Sequence, residues 1–548
     1  MTYIFIFNNA SRAANYGIGT YVRQLSDGLS TLPDTTVAYI DMYAEAKEFT
    51  IIKDDSGSHH YQIPAPPSGM ESGSYCRSIY YFLARNIESV TDSDAEQHPC
   101  NHEIVFQFNY FQHLPLATLL KGQFPDSRII LTVHYLAWCF ELKGNVSKMR
   151  RITAKDYEPS DDTERGVAAS FQNERTFMHL ADEILVLSRV TLDMLSKDYG
   201  VAEDKLHLVY NGFGNELVTN RSKSERNILF VGRLDEIKGL KYLIDAFISI
   251  ADKHPDANLI IAGDGEFQPY LAQCRSLSSR ISFLGKMQPG EVEQIYQTAY
   301  IGVMPSFHEQ CSYTAIEMMR HGIPVVGTDS TGLGEMLDYT PNLRVHINEE
   351  EFDEKEFTEK IAERINLLLD DEYEYAIARD AVIKLYGDRY KVSCMMQGIQ
   401  TTVLDSFKRK NYVVSSDYLK YMDTYIVQLI MKQPDIDAGF FGLSGIGIYL
   451  WWRVTLLTEN KDEEYQYTLL QEYLIYYLDW LYEVSKVEDL PVEMLTTLKS
   501  IETNGFYKTR VKDILSLQAS RVAEKDNNKI YSNTDIIQNA LRICNCKI

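Results

Sequence analysis

Along most of this chain short apolar runs alternate with longer segments in which apolar residues recur every three or four positions. In the first half Tyr3–Phe7, Val37–Asp41, Glu103–Asn109, Ile129–His134, Glu183–Ser188 and Leu206–Tyr210 read as strands. Asn227–Leu234, Leu259–Ala262, Ile281–Leu284, Ile301–Met304 and Ile323–Val326 read as strands in the second. Strands separated by helices predict parallel sheets covered on both faces. The polar stretch Thr219–Glu225 reads as a linker between two such α/β domains, 1–215 and 220–385. Residues 353 to 408 read as helices, the last opening at Tyr386-Gly387-Asp388. From Asp417 onward Tyr418–Met431, Glu464–Val484 and Val492–Ile501 have helical periods, so 417–548 is expected to be a helical appendage.

The junctions between strand and helix carry the chemistry. The first strand leads through Asn15-Tyr16 to Gly17-Ile18-Gly19-Thr20 and a helix, an arrangement that offers backbone N–H groups and the positive end of a helix dipole to an anion. A tight turn explains the same glycines, and the third glycine of a dinucleotide fingerprint is absent. Ile129–Val133 ends in His134, which faces a crevice or is satisfied by backbone. Lys143 to Glu164, charged and rich in turn formers, is expected to be a mobile loop beside it. Gly232-Arg233 and Lys238 sit on one strand-to-helix turn; a fork and a point charge there suit a pyrophosphate, and solvated surface is the plain alternative. Gly263 and Gly265 permit close backbone approach, and Gly285, Lys286 and Met287 are candidates for a wall against a nucleobase. The stretch from Met304 to Val326 carries Glu309 on a loop, Ser312 as the expected helix cap followed by Tyr313 and Thr314, Glu317 inside the helix, and Gly322 as its stop. Thr328 to Met336 is another glycine turn into a helix.

Composition narrows the partners. A formal charge of −23 argues against a general nucleic-acid binder while leaving room for a local phosphate pocket. Eight cysteines show no paired metal-ligand spacing and are sparse for a disulfide scaffold, which fits a reducing cytoplasm. No metal site is expected. The apolar opening Met1–Phe7 lacks a basic flank and reads as a strand, and no apolar run reaches spanning length, so a soluble protein is expected.

Taken together, Gly232-Arg233-Leu234 with Lys238-Gly239, Ala262-Gly263-Asp264-Gly265, Phe283-Leu284-Gly285, Pro305-Ser306 with Glu309 and Glu317, and Gly322-Ile323-Pro324-Val325-Val326 resemble the retaining glycosyltransferases of family 4. The resemblance covers roughly residues 1 to 410. It implies GT-B architecture, two Rossmann-like domains facing across a cleft, with a helix over 386–410 crossing back to complete the first. It also implies a nucleotide-diphosphate sugar, UDP- or GDP-linked, held mainly by the second domain without a divalent metal or other cofactor. Arg233 and Lys238 match the pyrophosphate-binding positions, Glu309 the carboxylate on donor sugar hydroxyls, and Glu317 the one that holds the ribose. Gly17 and Gly19 look like the first-domain loop near the diphosphate, and His134 like the strand-end active-site histidine. Where the family usually has Glu-x-Phe-Gly, this chain has Glu309-Gln310-Cys311-Ser312, a departure that puts donor identity in question. The amides of Ser312, Tyr313 and Thr314 are expected to face an anion, and Cys311 is more simply packed than nucleophilic.

The acceptor stays open, whether a glycan, a lipid-linked group, a small molecule or a peptide, and so does a peripheral approach to a membrane. Rival readings are an epimerase or a glycan phosphorylase on the same fold, or a non-catalytic sugar-nucleotide-binding subunit. In the appendage Ala438–Leu450 faintly resembles one glycine-turn helix of lanthionine-cyclase-like toroids. Its aromatic helix faces are expected to pack on the transferase or on a second subunit.

Overall fold

The computed structural model describes residues 2–404 apart from 10–16, 33–34, 55–57, 69, 71, 96–102, 125–126, 155, 219–225 and 350. Beyond these it describes residues 464–486 and 508–525 and the single positions 423, 450, 454, 490 and 498. The expected linker Thr219–Glu225, the loop residues Asn15 and Tyr16, and the patterns at Tyr418–Met431, Ala438–Leu450 and Val492–Ile501 lie outside the described residues except at single positions.

The first sheet contains β1 (Thr2–Asn9), β2 (Thr35–Ala44), β3 (Thr50–Lys53), β4 (His59–Pro64), β5 (Glu103–Phe108), β6 (Arg128–Val133), β7 (Glu183–Val186) and β8 (Leu206–Leu208). Its order is β3-β4-β2-β1-β5-β6-β7-β8, parallel except that β3 runs antiparallel to β4 at the edge. The second sheet contains β9 (Arg226–Val231), β10 (Ala257–Ala262), β11 (Ile281–Gly285), β12 (Ala299–Met304), β13 (Val325–Thr328) and β14 (Arg344–Val345). Its order is β11-β10-β9-β12-β13-β14, parallel throughout. Helices on both faces bury the central strands. Phe5, Ile6 and Phe7 of β1 and Ile228 and Leu229 of β9 are almost inaccessible, which is why these runs are apolar without alternation.

One expectation is corrected. Lys143–Glu164 is not a simple loop: it contains the helix Val146–Ile152 and leads into the helix Asp162–Leu180. Asn145 accepts from the Lys148 amide and Asp161 from the Glu164 amide, so two side-chain caps start helices in a stretch whose polarity suggests a turn. The hairpin β3–β4 was also not expected, because β3 is an edge strand of four residues and its Ile51 and Ile52 remain exposed.

Beyond the second sheet, helices run from Glu354 to Leu404. Val392–Ile399 returns to the first domain, where a Cβ on Gly28 of the helix Gly17–Leu29 would collide with the Met396 side chain. Residues 386–392 are tied to the chain that leaves β8: Phe213 N–H donates to Tyr390 O at 2.9 Å, Tyr386 Oη to Phe213 O at 3.0 Å, and Val392 N–H to Gly214 O at 2.9 Å. In the appendage, helices Glu464–Ser485 and Lys508–Lys525 pack together, with Arg510 on Asp479 at 2.7 Å. Their buried Leu474, Tyr477, Leu481, Val511 and Ile514 belong to the same apolar cluster as Phe5, Phe7 and Leu83 of the first domain.

Candidate functional site

At the centre of the second sheet β9 and β12 lie side by side, and the chain leaves them in opposite directions, toward β10 and toward β13. The crevice beyond their carboxyl ends is where open parallel sheets bind ligands. Gly232-Arg233 follows β9 and the Glu309 loop follows β12. In the first sheet the corresponding reversal falls between β1 and β5. The two edges face one another across a cavity of about 240 Å³, lined by Gly17, Ile18 and His134 on one side and by Gly232, Arg233, Lys238, Glu309, Ser312, Tyr313 and Thr314 on the other.

Close backbone packing shapes the cationic turn. Gly239 has φ +68°, and a Cβ there would stand 2.1 Å from Pro305 O, so only glycine lets this turn lie against the end of β12. Lys238 thereby meets Glu309, Nζ to Oε1 at 2.5 Å, with side chains 20% and 11% exposed. Gly263 has φ +153°, and its Cβ would stand 1.7 Å from Gly232 O; it supports the turn from beneath instead of lining the cavity. Arg233 is half-exposed and rests on Asp235 at 3.0 Å.

The Glu309 loop is pinned from behind. Thr331 Oγ1 donates to Glu309 O at 2.6 Å and accepts from Glu309 N–H at 3.1 Å, while Gly332 N–H donates to Glu309 O at 2.8 Å. Ser312 then caps the helix Tyr313–Arg320, accepting from Ala315 N–H at 3.5 Å. The helix ends at Gly322, φ +63°, where Gly322 and Ile323 donate back to Met319 and Met318 as a left-handed cap does. The Ser312 amide points at Met336 Sδ, 3.2 Å away, so of the three amides expected to meet an anion only those of Tyr313 and Thr314 begin the helix at the cavity.

His134 follows β6 directly and its ring meets Tyr21 edge-on, centroids 4.6 Å apart. Burial pushes its pKa down to about 3, so the imidazole is neutral. Asn109 Nδ2 donates to Phe7 O at 3.1 Å, which turns Asn109 Oδ1 toward His134 Nε2, 3.1 Å away. The proton therefore sits on Nε2, leaving Nδ1 as an acceptor. Cys311 is buried, and its thiol is pushed up to about 12 by desolvation, as suits a packed side chain.

Six candidate residues do not line the cavity. Gly19 is buried in the first turn of its helix, and Gly263 lies behind Gly232. Gly285, Lys286 and Met287 follow the edge strand β11, which β10 separates from β9. Glu317 lies one turn beyond Tyr313 and Thr314, receives a hydrogen bond from Tyr296 Oη at 2.7 Å, and is pushed by burial up to about 7. Conversely, Leu187, Asn211 and Gln310 line the cavity and were not among the candidates. For Gln310 the signal was its place inside the Glu309–Ser312 departure; Asn211 lies shortly before the expected end of the first domain at residue 215.

The domains touch around this cavity. Asn211 Nδ2 donates to Cys311 O at 2.7 Å, Arg189 N–H to Glu335 Oε2 at 2.7 Å, and Val146 N–H to Glu349 Oε2 at 2.9 Å. Gln310 Oε1 accepts from Ser188 Oγ at 3.3 Å and from the Thr191 hydroxyl. Among the described residues no helix is long and apolar enough to cross a membrane.

This is a GT-B fold, two parallel-sheet α/β domains with a helical region after them. The chain is similar to sucrose-phosphate synthase from Thermosynechococcus elongatus, TM-score 0.56 at 17% identity, over 75% of this chain and 100% of that one. It is similar also to HepE of Anabaena in complex with UDP, TM-score 0.50 at 16% identity, over 74% of this chain and 100% of the other. Residues 225–371 match the model of the family described as glycosyl transferases group 1. An uncharacterized glycosyltransferase of Methanocaldococcus jannaschii is 32% identical over 178 residues, 29% of this chain and 45% of that protein. The chain spans less than half the length of the curated relatives it matches here.

Proposed function

We propose that this chain is a retaining, metal-independent glycosyltransferase of family 4 that moves a sugar from a nucleotide diphosphate, UDP- or GDP-linked, to an acceptor. The observation that carries this reading is the convergence of Arg233, Lys238, Glu309 and the start of the helix Tyr313–Arg320 on one cavity, opposite Gly17 and His134. The match of residues 225–371 to glycosyl transferases group 1 supports the sugar-transfer class, and the UDP complex of a protein with the same fold supports the donor.

In the reaction the bond between the anomeric carbon and the β-phosphate oxygen breaks, a bond from an acceptor oxygen forms on the same face, and the acceptor proton leaves with the diphosphate. Charge grows on the leaving oxygens. Arg233, Lys238 and the positive helix terminus are fixed before the reaction starts, so they stabilise that charge where another transferase would use a divalent ion. Glu309 orients the donor sugar through its hydroxyls. Neutral His134 presents Nδ1 as an acceptor beside the reacting centre and cannot add a positive charge at working pH. Glu317, one turn further, holds the ribose once the nucleotide is seated. We place the protein in the cytoplasm, and the appendage offers packing surface to the first domain or a second subunit.

A calorimetric screen of free UDP, GDP and ADP tests the reading. One of them is expected to bind, and Arg233→Ala is expected to weaken it by at least about tenfold, on the order of 1.4 kcal/mol. Equal affinity in the variant would remove the phosphate assignment.

A further inference from the structure

Glu309, Gln310, Cys311 and Ser312 lie outside any strand or helix, between the end of β12 and the helix Tyr313–Arg320. The position of such a segment is set by whatever grips it from either side. The second domain grips its backbone: Thr331 and Gly332 bond to Glu309, and a Cβ on Gly332 would stand 1.6 Å from Gln310 O. That close support leaves the Gln310 side chain to reach across to the first domain.

Thr191 receives it there, in the first turn of the helix Arg189–Lys197, where the cap Ser188 accepts from Thr191 N–H at 3.3 Å. Each hydroxyl has one hydrogen to donate. Ser188 Oγ directs its own to Thr191 Oγ1 at 2.9 Å, with Gln310 Oε1 a longer second choice at 3.3 Å, and Thr191 directs its own to Gln310 Oε1. The result is a relay from Ser188 through Thr191 to Gln310, and all three side chains are buried, so water does not compete for it. Beside it Asn211 Nδ2 holds Cys311 O at 2.7 Å. Thus two first-domain side chains hold the two residues that separate Glu309 from the Ser312 cap. Thr191 itself does not line the cavity, so its influence on a ligand passes through Gln310.

We infer that Thr191 is a positioning residue of the transfer reaction: acting through Gln310, it sets the Glu309 carboxylate against the donor sugar only while the first domain is seated on the second. This rests on the reading of Glu309 as the sugar-facing carboxylate. Free nucleotide, held by Arg233 and Lys238 on the second domain, does not need the relay; a donor sugar aligned for reaction does. A displacement of about 1 Å in a positioning group lowers a rate by on the order of a hundredfold, and with Asn211 still in place the loss of the Thr191 hydrogen should give at least about tenfold.

The test uses the full chain and two substitutions: Thr191→Val keeps the branched shape and removes the hydrogen, and Thr191→Ser keeps the hydroxyl. Calorimetry gives the affinity for free UDP or GDP and the number of working sites. Release of the nucleoside diphosphate is then followed at saturating glucose, galactose, mannose and N-acetylglucosamine conjugates of the nucleotide that binds, as a rate per working site. Thr191→Val is expected to keep the free-nucleotide affinity within about twofold and to lose at least about tenfold in release rate, while Thr191→Ser stays near the native rate. In a Glu309→Gln background Thr191→Val is expected to cause no further loss, because the carboxylate it positions is gone. An unchanged rate in Thr191→Val, a nucleotide affinity that falls in step with the rate, a serine variant as slow as the valine one, or a full additional loss in the Glu309→Gln background overturns the inference. If the native protein binds neither free nucleotide, or releases diphosphate from none of the conjugates, the transferase reading itself falls, and the role of Thr191 with it.

Discussion

Replacing Glu309 by glutamine separates nucleotide binding from sugar handling. The Lys238 ammonium already has a partner, Glu309 Oε1 at 2.5 Å, and both side chains are sheltered at 20% and 11% exposure. A bond of this kind exceeds a surface ion pair and contributes on the order of 1.5–3 kcal/mol. A diphosphate that takes the ammonium must draw it from that carboxylate. Glu309→Gln keeps the shape and one acceptor but removes the charge, and a neutral partner holds the ammonium roughly half as strongly. The competing attraction therefore falls by about 1 kcal/mol, and free UDP or GDP should bind about fivefold more tightly. Donor hydrolysis and transfer, which need the carboxylate on the sugar hydroxyls, should fall about a hundredfold. Calorimetry with the free nucleotide and a coupled assay of diphosphate release measure the two effects separately. If Glu309→Gln weakens the free nucleotide as much as Lys238→Ala does, Glu309 faces the nucleotide and the division of roles is wrong.

Three further outcomes are expected. Gly239→Ala, forced to φ +68° with its Cβ 2.1 Å from Pro305 O, should lose at least about 2 kcal/mol in chemical denaturation and weaken nucleotide binding; unchanged stability would contradict the close packing. Glu317 and Glu174 are both pushed by burial up to about 7 from 4.5, so the folded protein keeps protons that the unfolded chain has released. The contribution of these two carboxyls to stability should accordingly fall as pH rises from about 4.5 to about 7 and then level off. Glu317→Gln, with Tyr296 Oη still bonded, should flatten that fall by on the order of 3 kcal/mol, read as melting temperatures at pH 5 and pH 8; parallel curves for the two proteins would count against a proton held at Glu317. Excess EDTA should leave the rate of transfer unchanged, and a loss restored by added magnesium would show that the cationic turn needs help from a metal.

The sheet interiors were legible because a parallel strand buried on both faces must be apolar along its length, as Phe5–Phe7 and Ile228–Leu229 are. The cationic turn and the Glu309 loop were legible for a local reason: each is a strand end, a glycine or a cap, and a helix start within ten or so residues. What escaped depends on tertiary placement. Asn211 reaches the cavity because its amide bonds to Cys311, a contact between segments remote in sequence. Lys286 and Met287, read as a wall against a nucleobase, follow the edge strand β11, which β10 separates from β9, and they do not line this cavity. The helix Val146–Ile152 was hidden by its own charge, although the cap at Asn145 was a readable start signal.

Because Leu474, Tyr477 and Ile514 share an apolar cluster with Phe5 and Phe7, the appendage and the first domain behave as one inseparable piece of the molecule. For anyone building chimaeras, the interchangeable cassette is the second domain. The sites for splicing it in lie in the polar stretch before Arg226 and at the approach to Tyr386. A shortened chain ending near residue 410 would bare a greasy flank, and insolubility of that product would say nothing about its chemistry.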